Sequence, residues 1–247
     1  MSQLVIIPTY NEKENIEAIV RAVTDLEEGF HVLVIDDGSP DGTADIVRWL
    51  QEKCGFEGRL FLVERTGKLG LGTAYIAGFR WAIEHGYDYV FEMDADFSHA
   101  PKDLPRLLHA CREEGNDVAI GSRYVSGVNV VNWPMGRVLM SYFASQYVKL
   151  ITGLKIHDTT AGFVCYRRKV LETMELDKIR FKGYAFQIEM KFTAVMHGFT
   201  VKEVPIIFVN RVLGTSKMNA NIFREAVFGI MKLRFNRWFK HYKKIDQ

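Results

Sequence analysis

Tyr87-Asp88-Tyr89-Val90-Phe91-Glu92-Met93-Asp94-Ala95-Asp96 changes character halfway along its length. Tyr87 to Phe91 is aromatic and β-branched and reads as a buried strand, which delivers Asp94 and Asp96 to its C-terminal end. In an open α/β sheet, ligands bind outside the C-terminal ends of the strands. Two carboxylates one residue apart repel each other unless a cation lies between them, so one reading is a divalent-metal site that holds a diphosphate. The other is a plain turn, capped by the aspartates, with Pro101 starting the next helix. An Asp-x-Asp is too short to decide by itself.

The same grammar recurs on either side. Leu4 to Pro8 is a short apolar strand running into Thr9-Tyr10-Asn11-Glu12, and Asn11 with Glu14 makes a capping box for a helix through Glu28. His31 to Ile35 is a second strand, ending in Asp36-Asp37-Gly38-Ser39, with a helix from about Thr43 to Cys54. Leu60 to Val63 is a third, and Gly67-Lys68-Leu69-Gly70-Leu71-Gly72 opens a helix to His85. Beyond the acidic stretch, Pro101 to Glu114 is helical, and Asp117 to Ile120 is a strand leading to Gly121-Ser122-Arg123-Tyr124. This alternation predicts an α/β fold, a mainly parallel twisted sheet with helices on both faces. It also lines up Tyr10-Asn11-Glu12, Asp36-Asp37, Asp94-Ala95-Asp96 and Arg123 along one edge. Taken alone, Asp36-Asp37-Gly38-Ser39 is equally a tight turn. The glycine run is spaced G-x-x-G-x-G, not G-x-G-x-x-G, and follows the third strand, which argues against a dinucleotide fingerprint.

Composition sets the limits. With 247 residues, 48% hydrophobic and 25% charged, the chain can bury the core of one large globular domain. Cys54, Cys111 and Cys165 are far apart and lack metal-ligand spacing, as expected of packed thiols in a reducing compartment. Met1-Ser2-Gln3-Leu4 runs straight into a strand without a signal-peptide pattern, so a cytoplasmic protein is expected. The net charge of +2 hides an asymmetry: from Ile222 to Gln247 seven Lys/Arg face two Asp/Glu, against 25 and 28 in the rest. Arg137, Lys149, Arg224 and Lys232 interrupt every window approaching the roughly 18 apolar residues of a membrane span. Work at a membrane would therefore be done lying on it.

Past Tyr124 the pattern changes. Val125 to Met135 lacks periodicity and reads as a loop. Arg137 to Leu154 is a strongly apolar helix outside the alternating unit, either a core element or an interfacial helix. A helix begins within Gly183-Tyr184-Ala185-Phe186-Gln187-Ile188-Glu189 and runs to about His197; Val201 to Val209 is a strand whose Pro205 suggests an edge or an irregularity. It leads to Arg211 and Lys217 on one Gly-containing loop, a clamp for phosphate oxygens or a solvated basic loop. A final helix from about Asn219 to Tyr242 mixes Trp238, Phe239 and aliphatic residues with seven basic ones reaching to Lys244, suited to anionic head groups or to packing with a basic outer face.

Read in order, Pro8-Thr9-Tyr10-Asn11-Glu12, Asp36-Asp37-Gly38-Ser39, Lys68 to Tyr75, Met93 to His99, Gly121-Ser122-Arg123-Tyr124 and Arg211 to Lys217 resemble the dolichol-phosphate mannose synthases over nearly the whole chain. These are inverting glycosyltransferases of family 2 with the GT-A fold. The resemblance implies a GT-A domain over residues 1–218, with an interface helix at about 137–154, and a basic amphipathic helix over 219–247. It implies transfer of mannose from GDP-mannose to a polyprenyl (dolichyl-type) phosphate, with Mg²⁺ or Mn²⁺. The chain would be peripheral at the cytoplasmic face of a membrane, with or without a membrane-anchoring subunit, and no nucleic-acid partner is expected. By position, Pro8, Tyr10, Glu12, Ile35 and Asp37 would form the nucleoside pocket. Asp94 and Ala95 would meet the nucleotide sugar, Asp96 would bind the metal, and Arg123, Arg211 and Lys217 would hold phosphates, with Arg123 and Arg137 at the acceptor phosphate. The catalytic set is then Asp94, Asp96, Arg123, Arg211 and Lys217. Ser98 stands where some relatives carry a metal-contacting Gln, and serine is the shorter, weaker ligand. A phosphate acceptor is already largely dianionic at neutral pH, so no general base is expected. The rival readings are a UDP-glucose or other nucleotide-sugar donor, a transferase acting on soluble glycans, and a non-catalytic nucleotide-sugar-binding subunit of a membrane complex.

Overall fold

The computed structural model describes residues 1–183, 185–210 and 229–235. In chain order these form β1 (Gln3–Thr9), α1 (Ile16–Thr24), β2 (His31–Asp36), α2 (Thr43–Lys53), β3 (Leu60–Glu64), α3 (Leu71–Glu84) and β4 (Tyr89–Glu92). Then follow α4 (Leu104–Arg112), β5 (Val118–Ser122), β6 (Val130–Val131), α5 (Met135–Thr152), β7 (Val164–Arg167), α6 (Arg168–Thr173), α7 (Ala185–Met196), β8 (Val201–Pro205) and β9 (Phe208–Val209).

Seven strands make one sheet in the order β3-β2-β1-β4-β7-β5-β8, and β6 pairs with β9 in a small ribbon. Every neighbour in the large sheet is parallel except β7, which runs antiparallel to both β4 and β5. Successive side chains on a strand point to opposite faces, and here both faces are covered. Leu4, Ile6, Leu33 and Ile35 pack with Tyr75 and Phe79 of α3 and Phe186 and Met190 of α7. Val5, Ile7, Val32 and Val34 pack with residues of α1, α2 and α4 such as Ile19, Val47 and Leu107. That two-sided burial is why these strands read as unbroken apolar runs. Cys111 and Cys165 are buried free thiols in the second layer. Helix α3 lies close on the sheet because Gly78 faces Ile6, where a Cβ would come within 2.8 Å.

Several local expectations are corrected. No capping box forms at Asn11, which takes a left-handed φ of 58°. The chain turns once more there, the Glu12 carbonyl accepts from Asn15 N and Ile16 N, and α1 starts at Ile16 without a side-chain cap. The short strand β7 was not anticipated. The segment expected as one strand over 201–209 is two, because β8 ends at Pro205, which cannot continue the hydrogen-bond ladder; β8 does lie at a sheet edge. The expected loop at 125–135 contains β6, tied to β9.

Helix α5 packs Val148, Tyr147 and Ile151 on the core and turns a second apolar side outward. Met135, Leu139, Met140, Phe143 and Leu150 are exposed, Leu150 to 82%, while Ser145 and Thr152 are buried beside Val148. Residues 229–235 are helical, with Ile230 and Leu233 in the core and Met231, Lys232, Arg234 and Phe235 exposed. Arg211, Lys217, the boundary expected at 218/219 and the remainder of the final helix lie outside the described residues. Among the described residues, no helix is long and apolar enough to cross a membrane.

Candidate active site

The C-terminal ends of β1 and β2 form one unit. Pro8 and Ile35 are direct register partners. Three side chains of the β2–α2 connection hold the turn after β1: Ser39 Oγ accepts from Asn11 N, Thr43 Oγ1 from Glu12 N and Asp41 Oδ2 from Lys13 N. The two adjacent aspartates divide the work. Asp36 is turned inward and builds the turn, accepting from Thr9 Oγ1 at 2.8 Å and from Ser39 N and Oγ. Asp37 instead pairs with Arg65 at 2.5–2.6 Å, and Arg65 also donates to Thr73 Oγ1 at the start of α3. Gly38 is obligatory in this turn: φ is +69°, and a Cβ would lie 3.2 Å from the Arg65 carbonyl. Lys68 sits over the Tyr10 ring at 5.1 Å. Neither Arg65 nor Lys68 was assigned a role from the sequence.

At the end of β4 the chain bends sharply, with Phe97 at φ 58°, and Asp96 Oδ1 accepts from Ser98 N at 3.0 Å. Asp96 and Ser98 are buried, whereas the Asp94 side chain is 40% exposed. His99, buried and stacked on Phe163 at 4.9 Å, accepts from Asp94 N through Nδ1 at 3.3 Å. Burial pushes its pKa down to about 4 against the pull of Asp96, so the ring stays neutral with its acceptor nitrogen committed to the backbone. His99 therefore braces the turn.

Beyond β5, Arg123 is almost wholly buried and forked onto Asp158, with Nε–Oδ2 at 2.6 Å and Nη2–Oδ1 at 2.7 Å; Nη2 also reaches Thr160 Oγ1 at 2.8 Å. Burial works to raise the Asp158 pKa, but the Arg123 charge and hydrogen bonds outweigh it and hold the carboxyl below the usual range. Glu203 of β8 supports the arrangement from behind, accepting from Ser122 Oγ, His157 N and Asp158 N. Arg137, on the first turn of α5, lies 4.1 Å over the Trp133 ring and donates to Asn210 Oδ1 at 2.9 Å. A further charged cluster lies beneath. Lys191 of α7, fully buried, donates to the Ala161 carbonyl at 2.6 Å and to the main-chain and side-chain oxygens of Gln187 at 3.2 and 3.3 Å. Burial raises the pKa of the neighbouring Glu92 to about 8 despite Lys191, and lowers that of Lys191 to about 8 despite Glu92.

These pieces border a crevice whose walls include Asp94, Arg123, Arg137, Gly162 and Gln187. The antiparallel course of β7 is what brings 158–163 here: Val164 pairs with Glu92 and Ile120, so the segment before β7 meets the segments after β4 and β5. One carboxylate, Asp94, with two guanidinium groups, Arg123 and Arg137, in the same crevice suits a ligand with both hydroxyl and phosphate groups. Among the described residues no group of three or more His, Cys, Asp or Glu forms a self-sufficient metal cage. Asp96 does fit a Mg²⁺-type ion that takes one or two carboxylates and completes its shell with substrate phosphates and water. Asp158, Gln187, Lys191 and Glu203 went unrecognised in the sequence because none lies at a predicted strand end.

The comparisons agree with this architecture. The model of "Glycosyl transferase family 2" matches residues 4–174. A polyprenol monophosphomannose synthase of Mycolicibacterium smegmatis is 49% identical over 92% of this chain and 84% of its own length. An undecaprenyl-phosphate mannosyltransferase of Micrococcus luteus is 46% identical over 94% of this chain and 93% of its own. Among solved structures, a glucosyl-3-phosphoglycerate synthase of Mycobacterium tuberculosis superposes with a TM-score of 0.66 at 16% identity, covering 100% of this chain and 81% of that one. A mannosyltransferase of Pyrobaculum calidifontis, solved with GDP-Man and Mn²⁺, superposes with a TM-score of 0.62 at 20% identity, covering 98% and 65%. At such identities these two likenesses concern the fold alone.

Proposed function

We propose a lipid-directed mannosyl transfer for this chain, which belongs to glycosyl transferase family 2. The donor is GDP-mannose, the acceptor a polyprenyl phosphate, and the product polyprenyl-phosphate β-mannose, formed with inversion. The observation that carries this reading is the union of two features on one helix. Arg137 faces the crevice from the first turn of α5, and the same helix turns an apolar stripe of Met135, Leu139, Phe143 and Leu150 outward. A phosphate-binding cation and a surface suited to acyl chains thus adjoin, as an acceptor that is part phosphate and part hydrocarbon requires. The names of the two relatives at 46–49% identity support the same substrates.

The chemistry follows from the acceptor. Its phosphate monoester is largely dianionic at neutral pH; one oxygen attacks the anomeric carbon from the face opposite GDP. The new C–O bond forms as the bond to the β-phosphate breaks, and the electron pair leaves with GDP. No proton has to move. That suits a crevice in which His99 is neutral and its Nδ1 already accepts from the backbone. Asp94 would bind the donor beside Ala95, while Pro8, Tyr10, Glu12, Ile35 and Asp37 would receive the nucleoside. Arg123 and Arg137 would align the acceptor phosphate, and Arg211 and Lys217 would hold phosphate oxygens of the donor. Asp96, with Ser98 beside it, would hold Mg²⁺ or Mn²⁺, which when bound neutralises the departing diphosphate. The chain would work as a peripheral protein at the cytoplasmic face of a membrane, alone or beside an anchoring subunit, with exposed Phe235, Lys232 and Arg234 adding to the surface of α5.

The test is transfer of labelled mannose from GDP-mannose to a defined polyprenyl phosphate by the purified chain, with divalent metal and with chelator. Metal-dependent formation of the β-linked product is expected. Transfer from UDP-glucose in place of GDP-mannose, or from neither, would overturn the reading.

A further inference from the structure

Gln187, the third residue of α7, is 96% buried and lines the crevice beside Asp94 and Gly162. Lys191, one turn on, donates to its Oε1. Because an ammonium only donates, this contact fixes which way the amide faces: oxygen toward Lys191, nitrogen away from it. The nitrogen has no hydrogen-bond acceptor in the protein. Glu92 is a neighbour, but neither of its oxygens is within hydrogen-bonding distance of the amide. Nε2 is 3.9 Å from the place a Cβ would occupy at Gly162, so the absent side chain there leaves the space beside the amide open. A buried donor without an acceptor costs stability unless a bound molecule supplies one.

The structure assigns Gln187 as a specificity-determining residue that reads a hydroxyl group of the transferred hexose, an assignment that rests on the donor reading given above. The neighbouring charges select the ligand's chemistry. The Asp94 carboxylate lines the same crevice, so a neutral hydroxyl oxygen is favoured over a phosphate oxygen as the acceptor for Nε2. A hydroxyl also has a proton of its own to give, and Asp94 is the nearby group built to accept one. The Lys191 contacts serve this arrangement in two ways, since the same ammonium pins the Ala161 carbonyl and so holds the 158–162 segment against the amide.

The experiment compares wild type with Gln187→Met, which keeps the length of the side chain and removes the donor. Both are assayed with GDP-mannose and with the singly deoxygenated GDP-mannoses, and GDP affinity is measured by calorimetry. Wild type should lose about 10–100-fold in kcat/KM with one deoxy donor. Gln187→Met should lose about as much with GDP-mannose, gain no further loss with that same deoxy donor, and keep its affinity for GDP. Equal losses of the variant across every donor, or no loss, would overturn the assignment. Should the variant not fold, wild type alone still decides, because indifference to every deoxygenation refutes it. If wild type proves to use another nucleotide sugar, the donor reading fails by itself, and the deoxy series of that sugar puts the same question to Gln187.

Discussion

Removing the charge from Asp158 should be among the most damaging single-atom changes available in this protein. Asp158 is fully buried, and Arg123, 5% exposed in its side chain, gives it two guanidinium bonds and its own backbone N–H. In Asp158→Asn the shape survives, but the buried guanidinium loses its counterion and one of its N–H groups meets an amide NH₂. Breaking one side of such a pair costs about 3–5 kcal/mol. For a chain of this size each kcal/mol moves Tm by about 2–4 °C, so the midpoint should fall by roughly 6–20 °C. Urea unfolding followed by circular dichroism measures the difference directly. The pH dependence gives a second, independent check. Because the native Asp158 pKa is depressed, its contribution is complete above the unfolded carboxyl pKa and is lost only as pH falls through the native value. The gap between wild type and variant should stay constant from about pH 8 to pH 5 and narrow below about pH 4. A variant within about 1 kcal/mol of wild type at pH 7 would refute the reasoning, as would a gap that varies between pH 8 and 5. Arg123→Met with Asp158→Leu, which removes both charges, should recover much of the stability that Asp158→Asn loses while transfer stays impaired.

Other changes test other parts of the molecule. Asp96→Ala should abolish metal-dependent transfer with unchanged circular dichroism and thermal midpoint, and full activity in that variant would remove Asp96 from the mechanism. Gly72→Ala should cost about 1–3 kcal/mol in urea melts, because its Cβ would lie 2.7–2.8 Å from the Phe186 ring and the Phe181 carbonyl. Lys191→Met should cost about 3 kcal/mol, measured in the same way, since it strips Glu92 of its buried cation and Ala161 of a donor. Phe143→Glu, on the exposed side of α5, should weaken binding to anionic vesicles about tenfold in flotation assays while leaving stability within about 0.5 kcal/mol.

The parallel half of the sheet was legible because β1 and β2 are continuous apolar runs ending in polar turns, and such ends have only one place to go in an α/β layer. The helices on either side follow from their periodicity. What could not be read was β7: Val164-Cys165-Tyr166-Arg167 is four residues long and fully paired on both sides, so it shows no alternation and no turn signal to bound it. With β7 hidden, the course of 158–163 stayed hidden too, and so did Asp158. The candidate site was legible where a polar cluster follows a strand, as at Asp94 and Arg123, and illegible where a polar side chain comes from a helix or from an edge strand, as at Gln187, Lys191 and Glu203. Those residues carry no local mark, because what makes them notable is burial that only the assembled sheet provides. At 11–15 the sequence pattern was present but overruled, since tertiary bonds from Ser39, Thr43 and Asp41 claim the backbone that a capping box would have used.

The position of β5 has a consequence for how the chain comes into being. Both of its sheet neighbours, β7 and β8, lie later in the sequence. As the polypeptide leaves the ribosome, β3, β2, β1 and β4 can zip together as soon as each is made, because all their mutual contacts are already behind them. β5 then has to wait more than forty residues, until Arg167 has emerged, before any strand can receive it. The crevice is therefore assembled from an early wall and a late one. The half carrying Asp94 has its strand partners first, and the half carrying Arg123 is fixed only when β7 threads between them. A nascent chain arrested at about residue 160, with β5 outside the ribosome and β7 not yet made, should thus protect β1 and β4 from hydrogen exchange while leaving β5 open.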